Sequence, residues 1–438
     1  MKLKKKKKKK YKNVYMALSA DILHEGHIRI INKASKLGKI TIGLLTDEAI
    51  ASFKNIPFLN YNQRYAVVKN IKEIDKVVPQ TTLDYTNNLR KLKPEIVVHG
   101  DDWKKGVLKN TRQKVIQELK KWSGKLVEFP YLKGISSSSL KKKISQLNLY
   151  GDNRISNLKR LIKIKKFVRL IEAHNSLIGL IIENLKIEKK NKFDEFDGMW
   201  SSSLTDSLVR GKPDNQSVEI NTRISGLSDL MDCTTKPVLF DADNGGRIEH
   251  APYSIRSLER QGVSGIVIED KVGLKRNSLF KDQKNVNQDS IVKFCNKIKI
   301  MVNSRKNDDF MVVARVESFI LGKGLKDALK RSIAYSKAGA DAILIHSKSD
   351  NPKEIFRFAK EFRKSKFFKP LIAVPSSYSK TREKELIKNG FSVVIYANQL
   401  LRATYPALLK TAKSILMNER SYDTEKDITP IKKIISLL

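Results

Sequence analysis

Val263-Ser264-Gly265-Ile266-Val267-Ile268 is a short, largely apolar run, and the carboxylates of Glu269 and Asp270 follow it directly. Runs of this length and composition are typical of parallel strands that are buried on both faces. A second run of the same kind, earlier in the chain, ends in Asp241 and Asp243. Because α/β folds place their chemistry where parallel strands end, both acidic ends are expected at one rim. For either acidic end alone, a solvated turn or a helix cap is the alternative.

The same rhythm of apolar strand, polar end and helical stretch recurs after Lys166. It predicts eight strands at residues 167–171, 198–200, 237–240, 265–268, 311–314, 342–345, 371–374 and 392–395. Eight such units predict a (β/α)8 barrel within an α/β chain. Nearly every strand ends in a polar residue, which stability alone does not require, so the active site is expected at this rim.

The residue types at the rim favour chemistry on an anionic substrate. Asp241, Asp243 and Glu269 could hold Mg²⁺, which binds few carboxylates and keeps several waters. Arg315 and His346 offer hydrogen-bond donors to a phosphoryl or carboxylate group.

Two other segments would complete this site. Trp200-Ser201-Ser202-Ser203-Leu204 would present backbone amides as an oxyanion cradle, and Asp214 lies on the loop beyond it. The loop after Glu269, with Gly273 as its hinge, is expected to close and exclude water.

Glu269-Asp270-Lys271, followed by Lys275-Arg276-Asn277-Ser278, resembles the loop motif of phosphoenolpyruvate mutases. The resemblance extends over roughly residues 165 to 410. It implies a Mg²⁺-dependent enzyme that moves a phosphoryl group between the enol oxygen of phosphoenolpyruvate and C3, where the product is phosphonopyruvate. By resemblance, Asp241 would bind Mg²⁺ directly, and Asp243 and Glu269 would act through waters. The implied substrate-binding residues are Trp200, Ser202, Ser203, Leu204 and Ser278, and the implied catalytic residues are Asp214, Lys275, Asn277, Arg315 and His346.

Two stretches depart from the mutase pattern. Many members have W-G-S-G-L where this chain has glycine replaced by Ser201 and Ser203, and a side chain at Ser203 could crowd the cradle. Many members also have D-x-D-T-G-Y-G where this chain continues from Asp243 as Asn244-Gly245-Gly246.

The N-terminal third carries a second set of signals. A strand at 14–18, an amphipathic helix and a strand at 40–45 predict a βαβ unit. His24 and His27 stand at the start of that helix beside free backbone amides, and Gly26 permits close approach of a ligand. This arrangement suits nucleotide phosphates. Two surface histidines, or a metal site that includes His99, are the alternatives.

The motifs H-E-G-H at 24–27, G-D-D-W at 100–103 and G-I-S-S-S at 134–138 resemble those of cytidylyltransferase-like nucleotidyltransferases. The resemblance implies transfer of CMP from CTP, with Mg²⁺ expected in both domains. The histidines would stabilise the triphosphate, and serine hydroxyls at 136–138 would hold its outer phosphates. The implied nucleotide-binding residues are His24, Gly26, His27, Lys54, Arg64, Asp101, Ser136, Ser137 and Ser138. Lys54 or Arg64 would neutralise pyrophosphate, and Lys133 stands near the position of an arginine usual in that family.

Length and composition constrain the organisation of the chain and its partners. A chain of 438 residues exceeds one ordinary core. We expect a basic disordered tail at 1–12, a nucleotide-binding domain at 13–145, a linker and leading helix at 146–165, and the barrel at 166–438. The net charge of +40 would suit nucleic acid, but the lysines are scattered and typical binding motifs are missing, so specific nucleic-acid binding is not expected. No apolar run approaches the ~20 residues of a membrane span, and two cysteines without a disulfide pattern fit the cytoplasm.

Together the domains predict a bifunctional enzyme of phosphonate biosynthesis, whose small-molecule substrates are phosphoenolpyruvate, phosphonopyruvate, CTP and a phosphonate. Phosphonopyruvate hydrolase, with water admitted to the same fold, is the nearest alternative. A carbon–carbon lyase would need a cysteine loop, and a nucleic-acid-binding protein with a degenerate enzyme core is the alternative from another class. The mutase resemblance also implies a homodimer or homotetramer that exchanges C-terminal helices, for which 405–417 is the candidate.

Overall fold

The computed structural model describes residues 12–53, 56–104, 108–130, 151–165, 167–189, 192–273, 275–278, 280, 283 and 286–437. These residues divide into two compact units: the first holds the described residues up to 130 together with 186–189 and 192–194, and the second holds the described residues from 151 to 185 and from 195 onwards. Residues 1–11 of the predicted basic tail, Lys54 and the serines at 136–138 lie outside the described residues. None of the described helices is long and apolar enough to cross a membrane.

The first unit is built on a parallel five-stranded sheet. Its strands are β1 (Asn13–Leu18), β2 (Lys39–Leu45), β3 (Ile74–Gln80), β4 (Ile96–Gly100) and β5 (Lys125–Phe129), in the order β3-β2-β1-β4-β5. The helices are α1 (Glu25–Ser35), α2 (Asp47–Ala51), α3 (Tyr61–Lys69), α4 (Thr86–Leu92) and α5 (Lys109–Lys120). Alternate residues of β1 enter two different cores, with Val14 and Met16 on one face and Tyr15 and Ala17 on the other. The strand order reverses between β1 and β4, and such a switch point is where open α/β sheets bind ligands.

The second unit contains the predicted barrel. Its eight parallel strands are β6 (Val168–Glu172), β9 (Gly198–Ser201), β10 (Val238–Asp241), β11 (Gly265–Glu269), β14 (Met311–Val316), β15 (Ala342–Ile345), β16 (Leu371–Ala373) and β17 (Val393–Tyr396). The barrel closes where β17 pairs with β6. This unit also contains a short antiparallel ribbon of β12 (Lys271–Val272) with β13 (Asn287–Gln288). A second ribbon, β7 (Ile187–Lys189) with β8 (Lys192–Asp194), belongs to the segment that is grouped with the first unit. The α/β fold class and the (β/α)8 barrel predicted from the sequence are therefore confirmed.

The second unit also contains helices. They are α6 (Gly151–Ile164), α7 (Ser176–Asn184), α8 (Ser203–Val209), α9 (Ile220–Ser225), α10 (Ser228–Asp232), α11 (Ala251–Arg260), α12 (Ile291–Ser304), α13 (Gly324–Lys337), α14 (Lys353–Phe362), α15 (Glu383–Lys388), α16 (Gln399–Asn418) and α17 (Ile431–Ile435). The leading helix α6 is fixed to the barrel by Arg154, whose guanidinium donates to four backbone carbonyls in the turns before β10 and β11. A positive charge buried in this way is stabilised by the carbonyl dipoles.

Candidate active site

The carboxyl end of β10 provides the centre of the rim site. Asp241 Oδ2 accepts hydrogen bonds from the backbone N–H of Ser203 at 3.3 Å and from its hydroxyl at 2.8 Å. Asp241 Oδ1 accepts from the N–H of Asp243 at 3.1 Å. Asp243 has a positive φ of 54°, a conformation that Asp tolerates better than most residues. The chain therefore turns sharply after β10 and brings both carboxylates to the same side.

Two loops meet above these aspartates. Lys275, from the loop after β11, forms ion pairs with Asp243 and, at 2.7 Å, with Asp214. Its ammonium group also donates to the hydroxyl of Ser203. Asn277 donates to the other oxygen of Asp214 at 2.7 Å. Asp214 thus joins the two predicted loop residues at the edge of the site.

Arg223, in α9, carried no recognisable motif in the sequence and yet underlies this corner. It is buried, and its Nη1 donates to the carbonyl oxygen of Asp241 at 2.6 Å and lies 3.4 Å from Asp243 Oδ2. Its Nε donates to Asp206 at 3.0 Å, and its guanidinium lies 4.6 Å from the ring centre of Phe240. Arg223 therefore fixes the turn that carries Asp241 and Asp243 (the acidic turn).

The adjoining part of the rim is formed by the ends of β11, β14 and β15, which follow β10 around the barrel. Register pairs Glu269 with Arg315, and Arg315 Nη2 lies 3.4 Å from Glu269 Oε2 and 2.9 Å from His346 Nδ1. Sequence reasoning missed Glu317, whose carboxylate accepts from Arg315 Nε and from Ser278 at 2.9 Å. Its position two residues after Arg315, just past the end of β14, was the available signal, since alternate residues of an extended segment share a face.

Burial and neighbouring charges separate the acid strengths of these groups. Burial raises the pKa of Asp241, but the charges of Lys275, Arg315 and Arg223 outweigh this effect and bring it to about 2. Burial raises the pKa of Glu269 to about 7, although Arg315 and Lys271 partly oppose it. The pKa of His346 is lowered, mainly by burial and then by Arg315, which favours the neutral imidazole. The site thus combines an ionised Asp241, a Glu269 whose pKa lies near 7 and an uncharged His346.

The segment that was predicted to form an oxyanion cradle lies at the start of α8. The hydroxyl of Ser202 caps this helix at the N–H of Thr205, 3.5 Å away. Trp200 is buried and Leu204 half-buried. The N–H of Ser203 is directed at Asp241, and its side chain fills the space between Asp241 and Lys275. The geometry consequently gives Ser203 polar partners on both sides.

The donor set at the rim fits Mg²⁺. In the part of the chain that the structure describes, no three His, Cys, Asp or Glu side chains converge enough to enclose a metal by themselves. Mg²⁺ needs only one or two carboxylates, since waters and substrate oxygens complete its shell. Asp241 is strongly acidic, whereas Asp243 is paired with Lys275. Asp241 is therefore the residue that suits a direct ligand best.

In the first unit, β1 and β4 are adjacent, so the residues that follow them share one edge of the sheet. His24 caps α1: its Nδ1 accepts from the N–H of Gly26 at 3.2 Å, so the proton of the neutral ring lies on Nε2, which is buried without a hydrogen-bond partner among the described residues. The rings of His24 and His27 lie 4.0 Å apart. Asp101 begins the turn after β4.

Arg64 is placed differently from a ligand-binding arginine. It is completely buried and donates to the carbonyls of Ser19, Leu45 and Leu59 and to Asp47. Most of its donors therefore serve the fold in this structure, and contact with pyrophosphate would require some of them to be released.

Comparison with known proteins decides the family. Residues 158–416 match the family described as phosphoenolpyruvate phosphomutase, and residues 19–143 match the cytidylyltransferase-like family. The chain belongs to the phosphoenolpyruvate phosphomutase family, and it carries a cytidylyltransferase-like domain at its N-terminus.

Several relatives illustrate the range of this phosphomutase family. The chain is 35% identical to phosphoenolpyruvate phosphomutase of Tetrahymena pyriformis over 65% of this chain and 91% of the relative. It is 31% identical to phosphonopyruvate hydrolase of Variovorax sp. strain Pal2 over 60% of this chain and 88% of the relative. The crystal structure of the phosphomutase from Streptomyces platensis subsp. rosaceus superposes with a TM-score of 0.60 at 32% identity, covering 65% of this chain and 94% of that one.

Proposed function

We propose that the barrel interconverts phosphoenolpyruvate and phosphonopyruvate, and that the N-terminal domain transfers CMP from CTP to a phosphonate or phosphate acceptor. The observation that carries the barrel assignment is the convergence of Lys275 and Asn277 on Asp214, at the same rim that carries the pair of Arg315 and His346. The rim thereby holds two groups of hydrogen-bond donors, as transfer of a phosphoryl group requires.

The chemistry needs placement more than acid–base catalysis. The bond from phosphorus to the enol oxygen breaks, a bond from phosphorus to C3 forms, and no proton is gained or lost overall. Arg315 and His346 would hold the phosphoryl oxygens while the enolate reorients, and Lys275 with Asn277 would close the site against water. Asp241 would hold Mg²⁺, with Asp243 and Glu269 acting through waters. When bound, Mg²⁺ supplies positive charge to the substrate oxygens.

Phosphorus NMR of the purified protein with phosphonopyruvate and Mg²⁺ tests this assignment. Formation of phosphoenolpyruvate is expected. Inorganic phosphate and pyruvate would instead identify a hydrolase, the activity after which one relative is named. If a folded protein forms neither phosphoenolpyruvate nor inorganic phosphate, the barrel assignment is refuted.

The N-terminal assignment rests on His24, which caps α1, and His27 in the first turn of that helix. Both follow β1, at the switch point of the sheet. Incubation with CTP, Mg²⁺ and a panel of phosphonates and phosphate esters should release pyrophosphate with at least one acceptor. A matched variant, His24→Ala, should abolish the release while leaving the barrel reaction unchanged. Release that is equal in both proteins would refute the role of His24.

The C-terminal helix supports a homo-oligomer. Along α16, all of which the structure describes, no residue is buried, and Leu416 and Met417 are 80% and 83% exposed. Apolar surface of this kind is expected to be covered by a second copy. Light scattering of the wild-type protein should give the mass of a dimer or tetramer, and Leu416→Glu should lower it. We also propose a cytoplasmic location, which agrees with the two free cysteines.

A further inference from the structure

Glu317 lies directly after β14 and connects two parts of the rim. Its carboxylate is fully buried. Oε1 accepts from Arg315 Nε and lies 3.2 Å from His346 Nδ1. Oε2 accepts from Ser278 at 2.9 Å and lies 3.8 Å from Lys271 Nζ. One oxygen therefore faces the Arg315–His346 pair and the other faces the loop after β11.

The hydroxyl of Ser278 makes this link specific. Lys271 Nζ at 2.7 Å and Arg315 Nη2 at 3.0 Å can only donate to it, whereas Glu317 can only accept. A hydroxyl has one proton and two acceptor sites, so these three contacts satisfy it completely. The backbone of Glu317 is fixed as well, because its N–H donates to Asp270 at 3.0 Å.

We propose that Glu317 is a positioning residue that couples closure of the loop after β11 to the placement of Arg315 and His346. The inference rests on the proposed mutase function and assigns a role to a residue outside the set proposed above to bind substrate or metal. When the loop is closed, Ser278 and Lys271 hold one carboxylate oxygen, and the other oxygen fixes the guanidinium beside His346. A closed loop and an aligned phosphoryl-binding pair thus occur together.

The neutral variant Glu317→Gln breaks this coupling while preserving shape. An amide has one accepting oxygen, so either Arg315 or Ser278 must lose its acceptor. Misplacement of this kind can lower kcat by about 10²-fold, while KM for phosphonopyruvate should change little. Water should also enter more often: it attacks phosphorus, the bond to C3 breaks, and C3 takes a proton, which yields phosphate and pyruvate. A purely structural role would not change this partition.

The experiment measures kcat, KM and the fraction of phosphorus released as inorganic phosphate. The proteins are the wild type, Glu317→Gln, Ser278→Ala and the double variant. The control is Glu183→Gln, because both carboxylate oxygens of Glu183 also accept side-chain hydrogen bonds, from the hydroxyls of Thr234 at 2.7 Å and Thr235 at 2.6 Å, but these threonines lie before β10, at the other end of the barrel. Both rim variants should lower kcat and raise phosphate release, the double variant should be little worse than Glu317→Gln, and the control should behave as wild type.

The proposal is overturned if Glu317→Gln and Ser278→Ala are folded and release the same fraction of phosphorus as inorganic phosphate as the wild type does. If Glu317→Gln does not fold, the result for Ser278→Ala decides. If the wild type catalyses no conversion, the proposed function fails separately. Deuterium uptake of peptides that contain Lys271 and Ser278 then decides the role of Glu317. Faster uptake in Glu317→Gln than in Glu183→Gln supports coupling to the loop, and equal uptake overturns it.

Discussion

Replacing Ser203 by alanine tests whether the serine obstructs the site or contributes to it. The hydroxyl donates to Asp241 at 2.8 Å and accepts from Lys275. A hydrogen bond to a charged group contributes about 1.5–3 kcal/mol. Asp241 retains the N–H of Ser203 at 3.3 Å and that of Asp243 at 3.1 Å, so the lower end applies. Because about 1.4 kcal/mol corresponds to tenfold in rate, kcat should fall about tenfold.

The assay is steady-state conversion of phosphonopyruvate with saturating Mg²⁺, which separates kcat from KM. Ser207→Ala is the matched control, because Ser207 is a buried serine of the same helix. Ser203→Gly, which restores the residue of many family members, should also be slower than wild type, since it lacks the same hydroxyl. A kcat of Ser203→Ala equal to or above that of wild type would refute this reasoning and show that the side chain crowds the cradle.

Three other predictions concern neighbouring parts of the rim. Asn277→Ala and Asp214→Ala should each lower kcat. Because the two side chains share one hydrogen bond, the double variant should lose less than the product of the two single fold-losses. A double variant whose fold-loss equals that product in the same assay would contradict this. In metal-free protein, burial raises the pKa of Glu269 from 4.5 to about 7. Between these two pH values the folded state keeps the carboxyl proton that the unfolded state loses, so the free energy of unfolding should fall by about 3 kcal/mol as the pH rises through this window, from 4.5 to about 7. Glu269→Gln should remove that part of the slope in denaturant titrations below and above the window, and an unchanged slope would contradict the assignment. Arg223→Lys should weaken binding of Mn²⁺, measured by electron paramagnetic resonance, because Arg223 donates to the carbonyl oxygen of Asp241. Arg210→Lys is the control and should not weaken it, because Arg210 is a more exposed residue that shares only the partner Asp206 with Arg223. Equal affinities of the Arg223→Lys variant and the wild type would show that the acidic turn is held without Arg223.

The strands and the order of polar strand ends could be predicted from the sequence because both are local properties. A short apolar run between helical stretches predicts a buried parallel strand. The position of Asp241, Glu269, Arg315 and His346 at one rim then follows, because parallel strands of a barrel all end on the same side. The histidine pair of the first unit was also local, since His24 caps the helix that contains His27.

The partners of these residues were decided only by the tertiary structure. Arg223 lies in a helix without a motif, and it reaches the acidic turn because α9 packs against the end of β10. Glu317 became a link between Arg315 and Ser278 through the pairing of β11 with β14, which brings together residues that are 37 to 39 positions apart in the chain. Ser203 shows the same dependence. Its sequence position suggested crowding, and its contacts show a hydroxyl between a carboxylate and an ammonium group. Residue types specify which chemistry is available, but the direction of each buried side chain depends on what the rest of the fold packs around it.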